Sequence, residues 1–92
     1  MERKIALVTG GGSGVGRACA AALAEAGFTL VLTGRRMAPL EEARAALAGE
    51  GHLAITADVG VEADVLALFD QIEVQFGRLD LLFNNAGVNA RI

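Results

Sequence analysis

The sequence is poor in the residues that tie small proteins together or anchor them in membranes. It contains one cysteine, one proline, no tryptophan and no tyrosine, and its four aromatic residues are all phenylalanine. A single cysteine cannot form an internal disulfide and leaves no cysteine-based zinc site. No apolar run approaches the roughly 20 residues that a membrane-spanning helix requires. The N-terminus has no long apolar stretch like that of a signal peptide, so we expect a cytoplasmic, globular protein.

Positive charge is also scarce. Eight Lys and Arg against eleven Asp and Glu give a formal net charge of −3. Nucleic-acid surfaces need clustered, excess Lys and Arg, so we expect neither a nucleic-acid nor a membrane partner. The 53% content of hydrophobic residues excludes a disordered tail. At 92 residues the chain forms one small domain at most, and we expect residues 1–92 to be part of one domain with no second domain.

Two kinds of apolar segment alternate along the chain. Short continuous runs, typical of strands buried on both faces, are separated by segments with apolar residues at helical spacing. The predicted strands are 5–8, 30–32, 52–56 and 79–83, and the predicted helices are 15–26, a segment from Pro39 to a stop at Gly49, and 61–76. This β-α-β-α-β-α-β order predicts an α/β fold with a parallel sheet. The fourth strand keeps an open outer edge, so the fold looks incomplete.

A glycine-rich turn, TGGGSGVG at positions 9–16, joins the first strand to the first helix. Glycines allow a tight turn, and the N–H groups and dipole of the following helix favour a phosphate. A plain flexible turn is the alternative on composition alone. The P-loop motif needs Lys and then Ser or Thr after its last glycine, whereas Gly16 is followed by Arg17 and Ala18. The glycines also do not fit the GxGxxG fingerprint.

The remaining pattern is Thr-Gly-x-x-x-Gly-x-Gly, formed by Thr9, Gly10, Gly14 and Gly16. It resembles the cofactor motif of the short-chain dehydrogenase/reductase family, in its main single-domain branch. Asp-Val at 58–59 and Asn-Asn-Ala-Gly at 84–87 follow the third and fourth predicted strands, where this family carries two further motifs. All three lie at carboxyl ends of strands, the edge where open α/β sheets bind ligands. The resemblance covers essentially the whole chain and implies a Rossmann-type, doubly wound parallel sheet.

The resemblance also implies roles in binding a dinucleotide. The three motif glycines Gly10, Gly14 and Gly16 would shape the turn around the pyrophosphate. Ser13 and Val15 would offer backbone N–H groups to it.

At the ends of the third and fourth strands, Asp58 would accept a hydrogen bond from the adenine amino group and Val59 would pack beside the ring. Asn85, Ala86 and Gly87 would line the adenosine-ribose side and tie the fourth strand to the glycine turn. By residue type alone, Asp58 is equally suited to be the N-cap of the third helix.

The end of the second predicted strand bears on the choice between NAD and NADP. NAD-binding folds place a carboxylate there, about 20 residues past the glycines, to hold the ribose 2′-hydroxyl. In the segment Thr33-Gly34-Arg35-Arg36, Gly34 stands where that acid would sit. Two adjacent guanidinium groups suit a 2′-phosphate, and no acid repels it. We therefore expect Arg35 and Arg36 to bind NADP, with NAD and a solvated basic loop as the alternatives.

Two isolated side chains have structural interpretations. Cys19 and Val15 lie on the predicted inner face of the first helix, so we expect a buried, unreactive thiol. His52 is the only histidine and opens the predicted third strand, so we expect it to be solvated. It has no neighbouring ligands in the sequence, and we expect no metal site.

The family's proton relay uses a Tyr and a Lys four residues apart, assisted by a Ser and a further Asn. This chain has no Tyr, and its only Lys is Lys4. The family's relay residues lie beyond the fourth strand, so no catalytic residue is assigned, and we expect the 92-residue chain alone to be inactive.

Three hypotheses follow. The first is the N-terminal part of an NADP(H)-preferring oxidoreductase that moves hydride to or from a small-molecule carbonyl or alcohol, its complete parent being a homo-oligomer. The second is a non-catalytic nucleotide-binding protein. The third is an interaction remnant that associates through the open fourth strand.

Overall fold

The fold was analysed in a computed structural model, which describes residues 3–12 and 14–85. Four strands and three helices alternate in the predicted order. They are β1 (Ile5–Thr9), α1 (Gly14–Glu25), β2 (Thr29–Gly34), α2 (Met37–Ala45), β3 (Leu53–Thr56), α3 (Glu62–Phe76) and β4 (Leu81–Asn84). The predicted α/β class and the Rossmann-type sheet are confirmed.

The four strands form one parallel sheet in the order β3-β2-β1-β4. The chain steps outward from β1 to β2 and β3, and α3 then carries it back to β4 on the other side of β1. Such a reversal opens a crevice between the carboxyl ends of β1 and β4, the two strands on either side of it. The topology therefore places any ligand site beside the end of β1, where the glycine turn begins.

Alternate residues of the inner strands supply two hydrophobic cores. Ala6 and Val8 of β1 pack with Leu30 and Leu32 of β2 beneath α1 and α2. The opposite face, which includes Leu7, packs beneath α3. Burial on both faces explains why β1 and β2 appear in the sequence as continuous apolar runs.

The first helix faces the sheet through small residues, which corrects one prediction. Gly16, Ala20 and Ala24 recur every fourth position and are buried. Val15 is 66% exposed, and Cys19 is only partly buried. The absence of large side chains at the buried positions lets α1 approach the sheet closely, so the more hydrophobic residues at 15 and 19 are turned away from it.

Two glycines end their helices as predicted. Gly27, just beyond α1, has φ 100°, and Gly77, just beyond α3, has φ 71°. At Gly77 the backbone N–H donates to the carbonyls of Ile72 and Glu73, which closes the last turn of α3. The second helix ends at Ala45, before the predicted stop at Gly49.

The prediction of a solvated His52 is wrong. Its side chain is 8% exposed, and Nδ1 accepts a hydrogen bond of 2.9 Å from the backbone N–H of Leu30. Nε2 lies 2.7 Å from the carbonyl oxygen of Ala48 and donates to it, since Nδ1 is the acceptor. The backbone pairing of β2 with β3 starts at Val31 and Leu53. The His52 imidazole therefore accepts the Leu30 N–H in place of a backbone carbonyl, one residue before the paired segment.

Within residues 3–12 and 14–85, no helix has the length and hydrophobicity needed to cross a membrane.

Candidate functional site

Four loops meet at the carboxyl edge of the sheet. β1 leads into the glycine turn, β2 into Arg35 and Arg36, β3 into Asp58 and Val59, and β4 into Asn85. The described residues of these motifs, which are far apart in the sequence, are therefore brought to one edge, as the parallel arrangement requires.

The glycine turn is anchored on the end of β2. The backbone N–H groups of Gly10 and Gly11 donate to the carbonyl oxygen of Thr33 at 2.8 and 3.2 Å. Gly10 and Gly14 have φ values of 65° and 57°, in the left-handed region that favours glycine. The direction of the turn is thus set by backbone bonds, and two of its residues need glycine for conformational reasons.

Gly16 needs glycine for a steric reason. A Cβ built at this position would collide with the carbonyl oxygen of Gly10 and lie 3.0 Å from Nδ2 of Asn85. The start of α1 is thereby packed directly against the turn and the end of β4. A side chain at position 16 would separate three parts of the site.

The hydroxyl of Thr9 joins β1 to the end of β4. Oγ1 accepts a hydrogen bond of 2.7 Å from the backbone N–H of Asn85 and donates to Oδ1 of Asn84 at 3.0 Å. Thr9 is 4% exposed, whereas Asn84 is exposed, so these bonds are partly buried. We refer to Thr9, Asn84 and Asn85 as the Thr9 junction, which links the fourth strand to the glycine turn.

Two neighbouring grooves open on this edge. One, the Asp58 groove, has a volume of about 440 Å³ and runs between the ends of β2 and β3 past Asp58, Val59 and Gly60. The other, the Arg36 groove, has a volume of about 320 Å³ and lies between Gly12, Arg36 and the first turn of α2. Both grooves are also lined by Gly10, Gly34 and Arg35. They therefore form one continuous surface beside the glycine turn.

The Arg36 groove has an excess of positive charge. Arg35 and Arg36 are exposed, and in the part of the chain that the structure describes neither guanidinium has an ion pair or hydrogen bond. The nearest acids in the sequence, Glu41 and Glu42, pair instead with Arg44 at 2.7 Å and with Arg17 at 3.4 Å. The hydrogen bond from Arg44 holds the pKa of Glu41 below its ordinary value. The two arginines are thus available to an anion.

Asp58 is not the N-cap of α3. That position belongs to Val61, which makes no side-chain capping bond. Oδ1 of Asp58 accepts from the backbone N–H of Gly60 at 2.9 Å, and the Asp58 N–H donates to Oδ2 of Asp64 at 2.9 Å. These bonds fix a tight turn that leaves the carboxyl group at the wall of the Asp58 groove.

The remaining predicted residues fare differently. Val15 stands at the start of α1 with an exposed side chain and lines neither groove. Ser13, Ala86 and Gly87 lie outside the described residues.

Two residues that the sequence analysis did not single out also shape the edge. Thr33 accepts the bonds from the glycine turn, and its Oγ1 donates to the Ile55 carbonyl at 2.6 Å. A Cβ at Gly12 would lie 2.9 Å from Cβ of Pro39, so α2 closes on the turn there. Position offers a signal for both, since Gly12 lies within the glycine turn and Thr33 opens the segment Thr33-Gly34-Arg35-Arg36.

Comparison with known proteins agrees with this architecture. Residues 4–92 match the family model of the short chain dehydrogenases. The chain belongs to the short-chain dehydrogenase family. Among curated members, a 3-oxoacyl-(acyl-carrier-protein) reductase from Bos taurus is 43% identical over 88 residues, which are 94% of this chain and 36% of the relative. This short-chain dehydrogenase sequence thus spans about a third of the length of such relatives.

Two solved structures of the family superpose closely. The 3-ketoacyl-(acyl-carrier-protein) reductase from Brucella melitensis, complexed with NADH, has a TM-score of 0.82 and 38% identity over 88% of this chain and 33% of its own. An NADPH-dependent reductase involved in bacilysin biosynthesis has a TM-score of 0.84 and 28% identity over 88% of this chain and 34% of its own. Solved structures similar to this chain therefore include one complexed with NADH and one described as an NADPH-dependent reductase.

Among the residues that the structure describes, no three His, Cys, Asp or Glu side chains are grouped so that they could hold a metal ion.

Proposed function

We propose that residues 1–92 form the NADP(H)-binding N-terminal part of one Rossmann domain in a cytoplasmic oxidoreductase. The reaction would move hydride between the cofactor and a small-molecule carbonyl or alcohol, in a protein that forms a homo-oligomer. Membership of the short-chain dehydrogenase family supports the oxidoreductase class. The preference for NADP rests on the chemistry of the Arg36 groove.

The observation that carries this preference is that Arg35 and Arg36 follow Gly34 and have no ion pair among the described residues. A carboxylate at position 34 would hold a ribose 2′-hydroxyl, and glycine supplies none. Arg35 and Arg36 would instead bind the 2′-phosphate, because guanidinium groups form strong charge-assisted hydrogen bonds with phosphate oxygens. Arg35 lines both grooves, so one side chain would contact the phosphate while bordering the adenine site.

The residues of the Asp58 groove suit an adenosine. The Asp58 carboxylate would accept a hydrogen bond from the adenine amino group, and the half-exposed Val59 would pack beside the ring. Gly10, Gly14 and Gly16, with the N–H groups at Ser13 and Val15, would bind the pyrophosphate at the start of α1. Asn85, with Ala86 and Gly87, would line the ribose side, and Thr9 would hold the end of β4 next to the glycine turn.

The cofactor supplies the hydride or accepts it, which is the redox chemistry of the reaction. The residues of this chain hold and orient it. No Tyr is present and Lys4 is the only Lys, so the chain has no Tyr–Lys pair to move the proton. We therefore expect no turnover of ketones or alcohols by the 92-residue chain.

The test of the cofactor preference uses only the adenosine half of the ligand. Titration of the 92-residue chain with 2′,5′-ADP and with 5′-AMP, followed by NMR chemical shifts, compares ligands that differ in the 2′-phosphate. We expect 2′,5′-ADP to bind at least tenfold more tightly. The double variant Arg35→Ala, Arg36→Ala should remove most of that difference, because losing a phosphate contact worth about 1.4 kcal/mol lowers the affinity tenfold. Its affinity for 5′-AMP, which has no 2′-phosphate, should stay within about twofold.

Arg44→Ala is the matched control, because it removes one positive charge from α2 without touching either groove. It should change neither affinity. Equal affinities of the unsubstituted chain for the two nucleotides would contradict the preference for NADP. Shifts confined to residues away from both grooves would contradict the location of the site.

A further inference from the structure

The loop that carries Asp58 leaves the sheet where β3 ends. β3 is four residues long, and among the described strands it pairs only with β2. The backbone N–H of Ala57 still donates to the carbonyl oxygen of Gly34 at 2.8 Å, and in the described part of the chain no later residue of the loop bonds to the β2 backbone. Contacts other than strand pairing must therefore hold Asp58 at its groove.

Three hydrogen bonds hold Asp58, and only one of them comes from a side chain outside its own turn. The carbonyl oxygen accepts from the backbone N–H of Val61 at 2.9 Å, and Oδ1 accepts from that of Gly60 at 2.9 Å. The Asp58 N–H donates to Oδ2 of Asp64, on α3, at 2.9 Å. Among the described residues, Oδ2 of Asp58 has no hydrogen-bond partner, so one carboxylate oxygen is left for a ligand.

The Asp64 carboxylate serves this loop instead of the end of its own helix. Asp64 is the third residue of α3, a position from which an acidic side chain often bonds back to the N–H of the N-cap residue. Here the N-cap is Val61, and the carboxylate bonds to residue 58 instead. The helix dipole favours a negative charge in the first turn, so the carboxylate is stabilised where it is.

The charges around the loop make this bond important for the direction of the Asp58 side chain. Asp58 and Asp64 line one recess of about 190 Å³ together with Arg35. Opposite charges attract at this range, so without the bond to Asp64 the Asp58 carboxylate would be free to turn towards the guanidinium of Arg35. Such a pair would withdraw both side chains from a nucleotide.

We propose that Asp64 is a positioning residue for the recognition of adenine. It does not touch the base. By holding the N–H of Asp58, it fixes the point at which the Asp58 carboxylate meets the 6-amino group. The inference rests on the proposed function in one respect, which is that Asp58 accepts a hydrogen bond from that amino group.

Two nucleotides that differ only in the 6-amino group test this role. We expect the unsubstituted chain to bind 5′-AMP about tenfold more tightly than purine riboside 5′-monophosphate, measured by NMR titration, because a hydrogen bond to a carboxylate is lost. Asp64→Ala should lower that ratio to about twofold while changing the affinity for purine riboside 5′-monophosphate by no more than about twofold. Asp64→Asn keeps a side-chain oxygen that can accept from the Asp58 N–H, and should restore most of the ratio.

Glu62→Ala is the matched control. It removes the other acidic residue from the first turn of α3, and Glu62 makes no hydrogen bond within residues 3–12 and 14–85. The loss of charge and of its interaction with the helix dipole is therefore the same, and the ratio should not change. If Asp64→Ala does not fold by circular dichroism, amide hydrogen exchange of the unsubstituted chain decides, since the Asp58 N–H should be protected.

The outcomes separate this inference from the proposed function. A ratio near one in the unsubstituted chain would show that Asp58 does not accept from adenine, and would overturn both. A tenfold ratio that persists in Asp64→Ala, or falls equally in Glu62→Ala, would overturn the role of Asp64 alone. Exchange of the Asp58 N–H as fast as in an unfolded chain would do the same.

Discussion

β2 and β4 both lie beside β1, yet they are held in different ways. β2 pairs on both edges, and its residues from Thr29 to Thr33 are buried. β4 pairs on one edge, and three of its four residues are exposed. β2 is fixed mainly by apolar burial beneath helices on both faces of the sheet. β4 is less covered, although the candidate site needs its carboxyl end in a defined place.

Polar contacts at both ends make up for the shallow burial of β4. At its amino end, the Asp80 carboxylate accepts from the backbone N–H of Ile5 at 2.8 Å and pairs with the Arg78 guanidinium. At its carboxyl end, the Thr9 junction bonds both Asn84 and Asn85. The same junction borders the glycine turn, so the contacts that hold the strand also build the site. Substitutions in the two strands can separate these contributions.

The largest expected effect is in the inner strand. Leu32→Ala should lower the free energy of unfolding by about 2–5 kcal/mol, because it opens a cavity beneath two helices. Leu82→Ala should cost about 1 kcal/mol or less, since half of its surface is already in water. Urea unfolding followed by far-ultraviolet circular dichroism measures both, as the chain has no Trp or Tyr to report by fluorescence.

That comparison should be made at the same low micromolar concentration for both variants. Both variants remove the same atoms from a leucine, so each is the control for the other. Equal losses of stability would show that β4 is buried as deeply as β2, against the structure.

A smaller effect is expected at the Thr9 junction. Thr9→Val keeps the shape of the side chain but removes the hydroxyl that hydrogen-bonds Asn84 and Asn85. It should lower the free energy of unfolding by about 1–2 kcal/mol. Thr9→Ser retains the hydroxyl and should recover much of the hydrogen-bonding contribution while losing one methyl group. Amide hydrogen exchange gives the second readout, because the Asn85 N–H loses its acceptor only in Thr9→Val. Unchanged exchange of that N–H would contradict the role assigned to the hydroxyl.

Sequence reasoning predicted the fold well where the signal is local. The alternation of apolar runs and helical spacing located all seven strands and helices of residues 3–12 and 14–85, and the positions of Gly27 and Gly77 located the ends of α1 and α3. The described residues of the motifs, 9–12, 14–16, 58–59 and 84–85, fall at one edge because parallel strands bring their carboxyl ends together. That prediction needed only the order of the elements, which short-range patterns contain.

The features that the sequence did not predict all depend on contacts between residues that are far apart in the chain. His52 is buried because its ring accepts from Leu30, 22 residues away, and no local pattern encodes that bond. The packed face of α1 was misassigned because hydrophobicity favoured Val15 and Cys19, whereas close approach to the sheet favours Gly16 and Ala20. The closeness of Gly12 to Pro39 likewise depends on how α2 settles against the turn.

The smallest expected effect is at the amino end of β4, and it depends on pH. The hydrogen bond from Arg78, together with that from the Ile5 N–H, holds the pKa of Asp80 below its ordinary value. A carboxyl group whose pKa is lower in the folded state stabilises the fold above its unfolded pKa of about 3.9, and this contribution is lost as the pH falls through the folded value. Asp80→Asn should therefore be less stable than the unsubstituted chain at pH 7, and the gap should narrow in acid.

Urea unfolding across the acidic range measures that gap. Glu41→Gln is the matched control: the pKa of Glu41 is also lowered by an arginine, but its exposed pair lies within α2 and joins no strands. Exposed pairs of that kind contribute little, so the control should show the smaller gap. If Asp80→Asn differs from the unsubstituted chain by the same amount at every pH, the carboxylate is not what fastens β4 to β1. The Thr9 junction would then be the main polar contact that holds the strand.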